Sequence, residues 1–165
     1  MLTLDYLNQI FFRTVTDQNG NEAKVPEIEG LTNPDWLMEC RAGMDGAIQL
    51  LQLKNVPVGA VLEHAESGRL MLRNDGGFND AVQSLWVMEQ VPNGGNAATV
   101  MDRCLARVER IYSILILHRK DAPLRGWIEN NEVGYYAREA GTYVGYEMTV
   151  HFRENRNLSY AQPNH

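Results

Sequence analysis

NAATVMDRCLARVERIYSILILHRK, residues Asn96 to Lys120, is the longest uninterrupted helical pattern in the chain. Val100, Met101, Cys104, Leu105, Val108, Ile111, Tyr112 and Leu115 recur at three- and four-residue steps, so they share one helix face. Arg103, Arg107, Glu109 and Arg110 take the other side. Asn96 suits the N-cap, where a side-chain oxygen accepts a free first-turn N–H. Towards the C-terminal end Ile114, Ile116 and Leu117 make the pattern apolar almost all round, as in a helix end buried on more than one side. The reading is a central helix over about residues 97–119, packed on a sheet. Burial of Ile114 and Leu117 tests it, because an exposed member of that group marks a contact between subunits instead.

Strand patterns flank this helix. Val58, Ala60, Leu62 and His64 alternate with Gly59, Val61, Glu63 and Ala65, and Leu70 and Leu72 oppose Arg69, Met71 and Arg73. With Glu66-Ser67-Gly68 as the turn, this reads as a β-hairpin. Asn74-Asp75-Gly76-Gly77 breaks it, a third strand runs from about Val82 to Val91, and Pro92-Asn93-Gly94-Gly95 delivers the chain to the helix. Beyond the helix, Asp121-Ala122-Pro123 is a stop. Val133 to Arg138 reads as a strand turning at Glu139-Ala140-Gly141. In the last strand Val144, Tyr146, Met148, Val150 and Phe152 alternate with Tyr143, Gly145, Glu147, Thr149, His151 and Arg153. That alternation predicts one face on a core and one in water.

On the N-terminal side, Thr3 caps a short helix over 3–13 with Leu4, Leu7, Ile10 and Phe11 as its stripe. Asn19-Gly20 is a hairpin tip or a mobile loop, and Pro26 confines any strand there to an edge. A second helix is expected from Asn33 as N-cap and Pro34 at its first turn, through Leu37, Cys40, Met44, Ile48 and Leu51, with Gly43 and Gly46 inside it. The order α, loop, α, β, β, β, α, β, β has hairpin connections too short for parallel crossovers. The expected fold is therefore α+β: a mostly antiparallel sheet with helices packed on one face, a two-layer sandwich. Residues 1–154 form a single domain and 155–165 a polar C-terminal tail.

Composition narrows the function classes. A net charge of −6 argues against nucleic acid as the main partner. No apolar run is long enough to span a membrane, and MLTLDYLNQIFF lacks the early basic residues of a secretory signal. Cys40 and Cys104 fall on apolar helix faces, as buried free thiols of a reducing, cytoplasmic compartment do.

Chemical motifs are few. Glu63-His64-Glu66 is the densest group of metal-ligand types, but no second His or Cys stands near it, and a solvated hairpin end explains it better. His118 beside Arg119 and Lys120 suits a helix C-terminus. His151, with Glu147 on the same strand face, is a candidate general base against a background of many lone histidines on wet sheets. No nucleophile elbow, phosphate loop or calcium-loop spacing is present. The expectation is no catalytic residue, no cofactor and no metal.

The tyrosines Tyr135, Tyr136, Tyr143 and Tyr146 gather on the last hairpin. Neighbours 135 and 136 must point to opposite sheet faces, so one lies outside the core. Exposed tyrosines favour interfaces, although cross-strand pairing also accounts for them. The interface candidates are Tyr135, Tyr136, Tyr143, Glu147, His151 and Arg153, with Asp75, Phe78 and Asn79 in the glycine-broken segment.

Three passages, QSLWVMEQVPNGGNAATVMDRCLARVERIYSIL, LRNDGGFNDA and NNEVGYYAREAGTYVGYEMTVHF, together cover much of the second half of the chain. In their element order the chain resembles small phage and prophage tail-completion or tail-terminator proteins. The resemblance implies a non-enzymatic structural protein that forms a homo-oligomeric ring and meets other tail or connector proteins, built in the host cytoplasm and carried in the virion. Segments Thr16–Lys24 and Asn74–Asp80 are candidates for ordering on assembly. The alternatives are a small α+β protein-binding or regulatory module, carried by the tyrosines, and a small-ligand binder or enzyme using the wet face of the last strand.

Overall fold

The computed structural model describes residues 1–31, 35–41, 43–63, 68–73, 76–127 and 133–156, with backbone alone at 68–73, 76–79 and 154–156. In chain order the elements are helix α1 (Leu4–Ile10), strands β1 (Phe12–Thr16), β2 (Glu22–Pro26) and β3 (Leu37–Cys40), helix α2 (Gly43–Leu53), strands β4 (Val58–Glu63), β5 (Gly68–Arg73) and β6 (Gly76–Gln90), helix α3 (Ala97–Leu117), a 3-10 turn (Ala122–Leu124), and strands β7 (Val133–Ala140) and β8 (Tyr143–Arg156). The fold is α+β, an antiparallel-dominated sheet with helices against it.

The main sheet is organised by β6 and β8, which pair antiparallel from Gly77↔Arg156 to Gln90↔Tyr143. Its order is β3-β4-β6-β8-β7, with β5 also on β6. One close approach sets this register. A Cβ at Gly145 would run into the Val87 carbonyl oxygen and lie 2.9 Å from the Met88 Cα.

β4 and β5 do not form the expected hairpin with each other. Both run antiparallel to β6 along the same edge: Val58–Leu62 faces Glu89–Leu85, and Gly68–Arg73 faces Ala81–Gly76. Leu62 pairs with Leu85 and Gly68 with Ala81, so β4 and β5 run the same way along β6 and do not reverse onto each other. The reversal falls between Arg73 and Gly76, which are ladder partners. Asn-Asp-Gly is the stronger tight-turn chemistry there. The turn assigned to Glu66-Ser67 lies outside the described residues.

The second helix also starts later than expected. Leu37 to Cys40 are a strand, parallel to β4, and Gly43 at φ +61° carries the chain out of it into α2. Such a φ suits glycine. The capping roles given to Asn33 and Pro34 lie outside the described residues. Leu37 and Met38 are buried on opposite sides of β3. A strand buried on both faces has no alternation, so a short apolar run of this kind also fits a helical stripe.

Side chains on the two faces of the sheet meet different helices. Ala60, Leu62, Leu85, Val87, Met148, Val150 and Phe152 pack with Leu7 and Ile10 of α1 and Val108, Ile111, Ile114 and Leu115 of α3. Val61, Trp86, Met88 and Tyr143 on the other face pack with Ala47, Ile48 and Leu51 of α2. The two-layer arrangement thus holds on the α1/α3 side, and α2 adds cover on the opposite face. Within the last turns of α3, Ile114 is buried and Leu117 is 77% exposed. Thr3 caps α1 by accepting the Tyr6 N–H, and Asn96 caps α3 by accepting the Ala98 N–H.

β1 and β2 make a separate two-stranded sheet, and Arg13 to Lys24 are exposed throughout. The Asn19-Gly20 segment is indeed a hairpin tip. The Asp17 carboxylate accepts from the Asn19 and Asn21 N–H groups and from Asn21 Nδ2, and these bonds hold it below the usual carboxylate range.

Because Gly145 faces backbone, Gly145→Ala is expected to force β6 and β8 apart. Overpacking of this kind costs roughly 1–3 kcal/mol or more; urea unfolding of the variant measures the loss.

Candidate functional site

The outermost strand on one side of the sheet is β7, paired only with β8 among the described strands. Tyr135 and Tyr136 are adjacent and emerge on opposite faces of it, 56% and 52% exposed. Tyr135 meets Tyr146 edge-on at 5.9 Å between ring centroids. Tyr136 lies 5.5 Å below the Arg138 guanidinium. A groove of about 400 Å³ runs between this edge and α3, lined by Leu105, Val108, Glu109, Tyr112, Val133, Gly134 and Tyr135. Two sequence candidates are therefore brought together at one open edge, beside an apolar groove.

The other candidates divide. Tyr143 is buried, 2% exposed, and its hydroxyl donates to the Val56 carbonyl at 3.1 Å. It is not a surface tyrosine, because α2 covers this end of the face that alternation assigned to water; burial raises its pKa. Glu147 is half-buried and accepts from Ser84 Oγ at 2.7 Å and from Arg138 Nε at 3.0 Å. His151 is exposed and opposite Val82. It lies four positions from Glu147, roughly 13 Å along a strand, so the two do not make a base pair of groups. Arg153 binds Asp80 through Nε at 2.8 Å and Nη2 at 3.2 Å. Asp75 lies outside the described residues. Phe78 and Asn79 are backbone-paired in β6 to both β5 and β8, so residues 76–80 are strand where a loop was expected. Glu63 accepts from Trp86 Nε1 at 3.2 Å, while His64 and Glu66 fall outside the described residues. Among the described residues no His/Cys/Asp/Glu group is arranged to hold a metal. Cys40 and Cys104 are free thiols, and burial pushes Cys104 up to about 11.

A second region has no counterpart in the expectations. At the end of β6, the Glu89 carboxylate is buried and faces two guanidiniums from α3: Arg103 through Nε and Nη2, and Arg107 through Nη1 at 2.5 Å. Arg107, placed by periodicity on the wet side of α3, is only 8% exposed. Burial alone would raise the Glu89 pKa, but the hydrogen bonds from Arg103 and Arg107 outweigh it and hold the carboxyl below its usual range. These arginines line a cleft of about 600 Å³ between α3 and the turn Glu27–Gly30, with Arg110 reaching the Glu27 carbonyl at 3.3 Å and its carboxylate at 3.5 Å. The available signal was spacing: Arg103 and Arg107 stand one helical turn apart, just after a strand ending in a lone Glu.

Fold and surface together define a class: an α+β protein whose sheet ends in an open, tyrosine-bearing strand, and no helix of which is long and apolar enough to cross a membrane among the described residues. No protein-family model matches the chain, and no curated protein matches it.

A carboxyl with a depressed folded-state pKa adds stability above its unfolded pKa and loses it as pH falls through the folded one. Glu89 should therefore contribute fully at neutral pH, with its contribution disappearing in the acid range below the ordinary value of about 4.3. Glu89→Gln leaves two guanidiniums without their anion, at a cost of about 3–5 kcal/mol. Denaturant unfolding at pH 7 and at acid pH should show that loss narrowing as the pH drops.

Proposed function

We propose that this chain is a non-enzymatic structural protein that assembles with copies of itself and with other tail or connector proteins, in the manner of the phage tail-completion proteins it resembles. The observation that supports assembly is the β7 edge. An outer strand leaves a row of main-chain groups ready to pair with another chain. Here that row is flanked by exposed tyrosines on both faces and by an apolar groove, the composition that favours protein interfaces. The exposed Leu117 at the end of α3 adds apolar area of the kind that marks a subunit contact.

The opposite side of the molecule supports the same reading. The β1–β2 hairpin grows from the β3 side, where the Phe12 ring lies 5.5 Å from Trp36, just ahead of β3. β3 and β7 are the two ends of the main sheet order. A two-stranded ribbon without its own core gains stability from a neighbour. Different features at opposite ends suit head-to-tail contacts, which form a ring when the rotation between subunits closes. The tail-completion assignment itself comes from the resemblance, and acidic character with free thiols fits assembly in a host cytoplasm. The second reading is a small protein-binding or regulatory module, supported by the same two tyrosines.

Light scattering on the purified chain, alone and with tail-tube protein, is expected to give a discrete ring-sized species. Tyr135→Lys with Tyr136→Lys should shift it towards monomer while leaving the Tm within a few degrees, since exposed substitutions typically change stability by about 0.5 kcal/mol or less. A chain that stays monomeric and ignores every tail or connector protein would sink the reading. Monomers that bind one partner through the tyrosines would instead favour the binding module.

A further inference from the structure

The geometry points to a carboxylate-binding site in the arginine-lined cleft, with the side-on Nε/Nη2 edge of Arg107 as its anchor. This is independent of the assembly reading. Arg107 spends Nη1 on Glu89 at 2.5 Å and on the Cys104 sulfur at 3.7 Å. Its Nε, buried in a side chain 9% exposed, has no hydrogen-bond partner. A buried donor without an acceptor is costly, and native structures avoid leaving one. Nε and Nη2 together form one of the parallel two-donor edges with which a guanidinium grips a carboxylate. Arg103 uses this same edge on Glu89. On Arg107 the equivalent edge is unpaired.

The surroundings suit such a ligand. Gly30, at φ +79°, closes over Nη2: a Cβ there would stand 3.2 Å from that nitrogen. Each of two carboxylates is shared by two guanidiniums, Glu89 by Arg103 and Arg107, and Glu27 by Arg13 and Arg110. The cleft itself is lined by three arginines, Arg103, Arg107 and Arg110, with Glu27 and Glu29 beside them. The volume, about 600 Å³, lies within the range of organic-ligand sites and exceeds what a bare ion needs. Ile28 and Ala106 add apolar lining for the body that carries the carboxylate. The ligand class is therefore a carboxylate on an organic framework, free in solution or at the end of a peptide.

The test is a thermal-shift and calorimetric titration of the full chain with succinate, benzoate and a tetrapeptide bearing a free C-terminus, each beside its amide. The carboxylates are expected to raise the Tm and the amides are not. Arg107→Lys keeps the charge on Glu89 and removes the two-donor edge, so it should weaken binding about tenfold or more. If that variant is too unstable to measure, Ala106→Glu serves: the position is exposed on α3 and lines the cleft, so an added negative charge should abolish binding with the fold intact. The readout is the ligand-induced shift, which a purely structural role of Arg107 would leave in place. Response to the peptide alone assigns the cleft to a chain terminus; response to succinate or benzoate assigns it to a free carboxylate. Equal shifts from acid and amide, no response to any carboxylate, or binding that survives Ala106→Glu would each overturn the proposal.

Discussion

The β6–β8 ladder is the constraint on which the rest of this molecule depends. Two strands of about fourteen residues, paired over nearly their whole length, fix a two-residue period on both faces at once. A slip of one position would carry Leu85, Val87, Met148 and Val150 from the α3 side to the α2 side. Gly145 against the Val87 carbonyl forbids such a slip locally. The same ladder carries buried Gln83, whose amide holds both backbone groups of Leu2: Oε1 accepts the Leu2 N–H at 2.7 Å, and Nε2 donates to the Leu2 carbonyl at 3.0 Å. Both groups of a polar side chain in the core thus have a partner, and the segment leading into α1 is docked by it.

At one end of the ladder the constraint becomes electrostatic. Val100 and Cys104 seat α3 on Val144, and one turn further on Arg107 meets Glu89. Apolar contact fixes which face of α3 looks at the sheet but tolerates small rotations. A buried carboxylate held by two guanidiniums does not, since Glu89 or Arg107 left alone would be a buried unpaired charge. We therefore regard the cluster as a specifier of how α3 sits more than as a source of net stability. It also explains why the cleft against Glu27–Gly30 is lined by arginine where the helix pattern suggested a wet surface.

Much of this architecture was legible because long elements carry long periods. α3 and β8 were plain from their apolar spacing, and so were the caps Thr3 and Asn96 and the turn at Gly141. The failures have physical causes. β3 is short and buried on both sides, so nothing in Leu37–Cys40 alternates. β4 and β5 carry two strand-like runs with a plausible turn between them, and only the partner strand reveals that they continue along one line. Tyr143 obeys the alternation perfectly, yet periodicity says which face a residue takes, not what covers that face. Arg107 shows the same limit on a helix. Long-range pairing decides these cases, and local periodicity alone does not report it. Of the site, Tyr135 and Tyr136 were legible from adjacency alone: neighbours on a strand cannot both point inward.

Exposure at β7 bears on what the molecule is built to do. Edge strands are commonly guarded by being short, by charge or by cover. β3, at the other end of the sheet, is four residues long and lies against α2. β7 has eight residues, and its one cation is held close: Arg138 is bound to Glu147 and stacked over Tyr136. That engagement removes the free cation that would repel an incoming strand and leaves aromatic surface in its place. Tyr112, edge-on to Trp127 at 6.3 Å, continues the surface across the groove to α3. The two end strands thus differ in length, and the longer, β7, lies beside aromatic rings. The assembly proposed above rests on that difference between the two end strands.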